Sequence, residues 1–154
     1  MVCYPQMNVL LIEDDPHKGD RIAKYLQEVL PQVHLKHVRS YQTGMHAIVN
    51  GTFDLILLDM SLPVYEVRAG ESGFDAPSFA GEDILEEMRR KSIPGNVVVI
   101  TGFETFGEGE TLTTLPELTG RLAKRFPRIF KAVIYYSPAE STWMKELSVV
   151  IGCL

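Results

Sequence analysis

Cysteine is scarce in this chain. Cys3 and Cys153 are the only two, one near each end. They lack metal-ligand spacing, and two thiols make no disulfide framework, so a reducing cytosol is the expected compartment. Basic charge is also short: 15 Lys and Arg against 20 Asp and Glu leave a formal net charge of -5. A nucleic-acid-binding domain normally needs a basic surface, so no nucleic-acid partner is expected. No apolar run approaches the roughly 20 residues of a membrane span. The N-terminus has no basic segment leading into an apolar one, so neither a signal peptide nor a membrane partner is expected. A Gly-rich dinucleotide fingerprint after the first strand and a P-loop are both missing. The histidines, His17, His34, His37 and His46, show no metal spacing. His34 and His37 fall in a predicted strand, where residues three apart face opposite sides.

What is present fits a single domain over 1-154. The chain is 45% hydrophobic and 23% charged, enough apolar content for a real core. Three short runs, NVLLI (Asn8–Ile12), DLILL (Asp54–Leu58) and NVVVI (Asn96–Ile100), are continuous rather than alternating. They read as strands buried on both faces, as in a parallel sheet covered by helices. VHLKHV (Val33–Val38) alternates and suits a sheet edge, and KAVIYY (Lys131–Tyr136) is a fifth strand candidate.

Helical patterns lie between the strands. Asp15 and Pro16 make an N-cap and first-position pair, followed by Ile22, Leu26, Val29 and Leu30 at helical spacing. Tyr41–Val49, Gly81–Lys91 and Ser141–Ile151 are further helices. Thr114 and Glu117 fit a capping box, with Leu115, Leu118 and Leu122 after it. The alternation of strand and helix implies a doubly wound α/β sandwich. Two stretches, about 64-79 and 102-113, interrupt it as insertions, and long loops in a compact domain are often functional.

In an open parallel sheet, ligands bind at the carboxyl ends of the strands. Here the first strand ends in Glu13 and Asp14, the third in Asp59 and the fourth in Thr101 and Gly102. Acids at neighbouring strand ends suggest a pocket for a hard divalent cation, and Mg²⁺ takes one or two carboxylates plus a carbonyl. The cation would also relieve repulsion among the acids. Asp15 reads instead as the helix cap.

These residues resemble the receiver domains of two-component response regulators. LLIEDDP is similar to the family's first strand and acidic pair. LLDMSLP places Asp59 four positions before Pro63, as the phosphoacceptor and its proline are placed. VVVITG supplies Thr101 and Gly102, FAGEDILEEMR resembles the family's glycine and third helix, and YYSP resembles the end of the fifth strand. The resemblance implies a five-stranded parallel sheet in the order 2-1-3-4-5, and a cytoplasmic signalling switch rather than a metabolic enzyme. It implies Asp59 as phosphoacceptor. Mg²⁺ would be held by Asp14 and Asp59, by Glu13 through water, and by the backbone carbonyl of Ser61. Thr101 would bind the phosphoryl oxygens, and Gly102 would leave the donor room. A histidine kinase or phosphotransfer protein would be the donor. A protein partner would dock on the face made by the fourth helix, fifth strand and fifth helix.

One departure bears on the chemistry. Ser137 stands before Pro138 where the family has a lysine that pairs with the acceptor aspartate. A serine hydroxyl carries no cation. Lys131 begins the same strand about 20 Å away if extended, too far to substitute. The acids are therefore expected to lack a fixed cation and to depend more on bound metal. The position of the family's switch aromatic is Ile134, with Tyr135 and Tyr136 following. The alternative is a pseudo-receiver, an interaction module that keeps the fold but no longer uses aspartyl phosphorylation. A phosphatase or nuclease of another α/β fold wants Asp-x-Asp at a strand end, and Asp59-Met60-Ser61 lacks the second acid. The basic run Arg121, Lys124, Arg125, Arg128 and Lys131 reads first as a solvated helix face with Phe126 and Phe130 in the core.

Overall fold

The computed structural model of the chain describes residues 6–65 and 78–154. Cys3 and most of the 64-79 insertion lie outside the described residues. The apolar runs become β1 (Met7–Ile12), β3 (Leu55–Leu58) and β4 (Val97–Thr101), with β2 (Val33–Val38) on the outside of β1. A two-stranded hairpin, β5 (Thr105–Phe106) and β6 (Thr113–Thr114), follows, and β7 (Phe130–Tyr135) completes the main sheet. That sheet has five strands in the order β2-β1-β3-β4-β7, all pairs parallel. Counting only its own strands, this is the expected 2-1-3-4-5 order.

The pattern of residues explains the placement. β1, β3 and β4 carry Val, Ile and Leu on both faces and are the interior strands. The alternating VHLKHV takes an edge, as its half-polar pattern requires. One sheet face buries Leu10, Ile12, Ile56, Leu58, Val97 and Val99 against α2 (Tyr41–Asn50), α3 (Ala80–Arg90) and α4 (Leu115–Arg125). The other buries Val9, Leu11, Leu55, Leu57, Val98 and Ile100 against α1 (Pro16–Val29) and α5 (Thr142–Gly152). Full burial of each large aliphatic side chain contributes about 1.5–3 kcal/mol before entropy is counted.

Caps set the helix starts. The Asp15 carboxylate accepts the N–H groups of His17 (2.9 Å) and Lys18 (3.1 Å), with Pro16 first in α1. Ser40 and Thr43 form a capping box on α2. Thr114 accepts the Glu117 N–H at α4, and its hydroxyl donates to the Glu117 carboxylate at 3.0 Å. Among the described residues no side chain caps α3, but Glu82 and Asp83 in its first turn and Arg89 and Arg90 in its last suit the helix dipole.

The 102-113 insertion is ordered structure rather than a plain loop. Its hairpin sends Phe106 into the core between Phe79 and Phe103, with ring centroids 6.2 Å from each. The Leu115 N–H donates to the Glu104 carbonyl, tying the hairpin to α4. Phe126 and Phe130 are buried, as the basic run suggested, and two of its arginines also reach across to α3. Among the described residues, no helix is long and apolar enough to cross a membrane.

Candidate functional site

The parallel ladder brings the acidic strand ends together. Ile12 lies beside Leu58 in register, so Glu13 and Asp59 follow as neighbours. The Asp59 N–H donates to the Ile12 carbonyl and the Glu13 N–H to the Val38 carbonyl, both at 3.0 Å. Glu13 is 1% exposed and Asp59 5%, while Asp14 is half-buried at the rim. Carboxylate oxygens of Glu13, Asp14 and Asp59 all lie within 4.8 Å of one another.

Such crowding has a cost that shows in the protonation equilibria. Burial, then the neighbouring Asp59 charge, pushes Glu13 well above the ordinary carboxylate range, against the pull of Lys18. The same two causes raise Asp14 to about 6. Burial also raises Asp59, against the opposing charge of Lys18. The pocket thus disfavours full ionisation of its own acids.

Lys18, in the first turn of α1, is the residue the sequence reading missed. Its ammonium is buried, 2.6 Å from Glu13 Oε2 and 3.4 Å from Asp59 Oδ2, and donates to the Ile100 carbonyl at 2.8 Å. Burial works to lower its pKa, but Asp59 and Glu13 outweigh burial and hold it above the ordinary lysine value. The expectation that Ser137 leaves the acids without a fixed cation is therefore corrected: the cation comes from α1. The signal was present. Lys18, Ile22 and Leu26 are spaced i, i+4, i+8, so the buried stripe of α1, extended back one turn, lands on a lysine.

Charge alone does not saturate the site. Glu13 is fully engaged, since its Oε1 accepts the Asp15 N–H at 3.0 Å while Oε2 meets Lys18. Asp59 is not: its Oδ1 is buried and has no hydrogen-bond partner among the described residues. A buried orphan carboxylate oxygen beside a half-exposed Asp14 fits a hard, oxygen-seeking cation such as Mg²⁺. Asp59 and Asp14 would hold it, with Glu13 nearby.

The surrounding residues are accounted for in turn. Ser61 is fully buried, and its hydroxyl accepts the Ser78 N–H at 3.0 Å. Gly81 donates its N–H to the Met60 carbonyl. A Cβ there would meet the Asp59 carbonyl at 2.8 Å and Met60 Cα at 2.9 Å, so only glycine lets α3 close on the turn after Asp59. Thr101 is fully buried at the end of β4; its hydroxyl accepts the Phe103 N–H and can still donate its own proton. Gly102 is exposed, and a Cβ would come no nearer than 3.7 Å to the Tyr136 carbonyl. Packing does not demand glycine there. The Ser137 hydroxyl accepts the Ala139 N–H at 3.4 Å. Ile134 is buried, whereas Tyr135, paired in register with Thr101, is 41% exposed. Tyr136 is buried beside Trp143, and its hydroxyl accepts from Arg21.

No family model matches the chain. The chain is 30% identical over 138 residues to the uncharacterized protein y4jR of Sinorhizobium fredii, spanning 89% of this chain and 91% of that protein. It is 24% identical to the Detocs response regulatory protein DtcB of Enterobacter cloacae, over 92% of this chain and 95% of the other. Among solved structures, the response regulator protein TrrA of Thermotoga maritima, in complex with Mg²⁺ and BeF, superposes with a TM-score of 0.61. That match is 13% identical and covers 94% of this chain and 98% of that one.

Proposed function

This chain belongs to the same family as the y4jR protein of Sinorhizobium fredii and has the fold of a CheY-like receiver domain, and from that premise we propose that it is a response-regulator receiver whose Asp59 accepts a phosphoryl group. The observation that carries the reading is Asp59 itself. One of its oxygens faces a fixed cation, and the other is buried beside Asp14 with no side-chain partner among the described residues.

Asp59 is the nucleophile. One carboxylate oxygen bonds to phosphorus as the phosphorus–oxygen bond of the donor breaks, and the leaving group takes the electron pair. The product is an acyl phosphate. Transfer of this kind asks the protein chiefly for positioning and neutralised charge. Asp14, Asp59 and the Ser61 carbonyl, with Glu13 in support, would hold Mg²⁺, which would supply part of that charge. Thr101 offers its hydroxyl proton to the phosphoryl oxygens, and Gly102 keeps the approach open. The relative from Enterobacter cloacae is named as a response regulatory protein, and the Thermotoga structure holds Mg²⁺ with BeF; both support this role. The donor is a histidine kinase or phosphotransfer protein in the cytoplasm. The readout surface is the face of α4, β7 and α5, where Tyr135 and Val149 are exposed.

A second reading has one observation in its favour. Lys18 already neutralises Asp59, as a pseudo-receiver that has abandoned phosphate would need. Intact mass after incubation with Mg²⁺ and acetyl phosphate separates the two. A receiver gains one phosphoryl group that Asp59→Asn and EDTA both abolish. A pseudo-receiver gains none.

A further inference from the structure

A buried ammonium is costly even when paired, and an apolar side chain of the same size often serves stability as well. Lys18 occupies a position on the apolar stripe of α1 where leucine or methionine would pack. A buried lysine at that position calls for a chemical reason. We propose that Lys18 is the counter-ion of the phosphoryl group on Asp59, delivered from the first turn of α1 to do what Ser137 cannot. This rests on the reading of Asp59 as phosphoacceptor.

The geometry supports the role in three ways. First, Lys18 is anchored independently of Asp59. Glu13 at 2.6 Å and the Ile100 carbonyl at 2.8 Å hold its ammonium, while Asp59 is the more distant partner at 3.4 Å. The cation therefore stays in place when the Asp59 carboxylate is consumed. Second, the reaction increases local negative charge. The aspartate begins with one negative charge and ends as an acyl phosphate with close to two, in a site 5% exposed. A preorganised cation is worth more in such a site than in water. Third, the delivery is built in. Asp15 caps α1 on the N–H of Lys18 itself. The helix then seats closely on the sheet: a Cβ at Gly19 would meet His37 Cε1 at 2.7 Å.

Other cations near the pocket are committed elsewhere. Arg21 donates to the Tyr136 hydroxyl at 3.1 Å and the Pro138 carbonyl at 3.0 Å. Lys131 lies at the opposite end of β7, where its ammonium donates to the Arg128 carbonyl. Among the described residues, Asp59 has no ion-pair partner other than Lys18.

The test compares phosphorylation rates of the wild-type chain, Lys18→Met, Lys18→Gln and the double variant Lys18→Met/Ser137→Lys. Each is incubated with Mg²⁺ and acetyl phosphate over a range of concentrations, with circular dichroism to verify folding. Loss of the cation should slow the saturated rate by about 100-fold, more than it changes the acetyl phosphate concentration needed for half-saturation. The double variant should recover to within about tenfold of wild type, because it returns a cation to the Asp59 site from the segment after β7. Recovery by a lysine from a different part of the fold is something a purely structural Lys18 would not allow. Should the single variants fail to fold, the double variant decides alone: folded and active supports the role, folded and inactive overturns it. Equal or faster reaction of Lys18→Met overturns the inference while leaving Asp59 as acceptor. No reaction of the wild-type chain overturns the acceptor reading and this inference together.

Discussion

Glu13 and Glu82 are both buried glutamates next to cations, yet they sit in opposite kinds of place. Glu82, on α3, is gripped by Arg121 through Nε and Nη2, each at 2.9 Å, and by Arg125 at 3.1 Å. Arg125 also reaches Glu86 at 3.2 Å, and both guanidiniums are partly open to water. There the cations match the carboxylates. At the strand ends, among the described residues, a single ammonium serves Glu13, Asp14 and Asp59. The first cluster ties α3 to α4 and is satisfied. The second sets three carboxylates against one ammonium, and two of the three are buried away from water. A charge cluster balanced at the surface is read as structure, and one unbalanced in the core is read as a place where something else must bind.

That contrast is open to attack. The largest effect should come from Asp59→Asn, which removes the proposed nucleophile. It should abolish phosphorylation, seen as loss of the phosphoryl mass gain, with the fold retained by circular dichroism. Next is Asp14→Asn. Its carboxyl is raised from the ordinary 3.8 to about 6. The folded state therefore holds a proton that the unfolded chain has lost, so stability falls as pH rises through this window. Asn should abolish that loss and stabilise the metal-free protein at neutral pH by about 1 kcal/mol, a figure reduced for the partly exposed rim. The same variant should weaken Mg²⁺ binding by calorimetry. A melting point at pH 7 below that of wild type would contradict the charge imbalance.

On the balanced side, Glu82→Gln should cost about 1–2 kcal/mol in urea unfolding, because it strips Arg121 and Arg125 of their shared partner. It should leave the phosphorylation rate unchanged. Smallest of all is Arg90→Ala, which breaks an exposed pair with Glu87 inside α3. It should produce no measurable shift in melting temperature.

Much of this was legible before any coordinates. Continuous Val, Ile and Leu runs identified the interior strands, and alternation marked Val33–Val38 as an edge. Asp15 and Pro16 announced α1, and the acids at neighbouring strand ends come together as a cluster. Lys18 escaped because strand-by-strand matching sought the cation on the fifth strand of the sheet, where Ser137 and the distant Lys131 offer none. Helical periodicity held the answer, but a charged residue ahead of Ile22 and Leu26 is ordinarily assigned to solvent. The hairpin of residues 105–114 was read as loop because its strands have two residues each, too short for any periodic pattern. Its order comes from the buried Phe106 and from the bond between the Leu115 N–H and the Glu104 carbonyl, neither of which shows in a periodic pattern.

The account depends most on Asp59 being a site of chemistry rather than a relic of the fold. Amide NMR shifts on adding beryllofluoride in Mg²⁺ test this directly. The wild-type chain should show saturable shifts centred on Asp59, Thr101, Gly102 and the first turn of α1 around Lys18, and Asp59→Asn should show none. An unchanged wild-type spectrum at millimolar reagent would contradict the phosphoacceptor reading and leave an interaction module with the receiver fold.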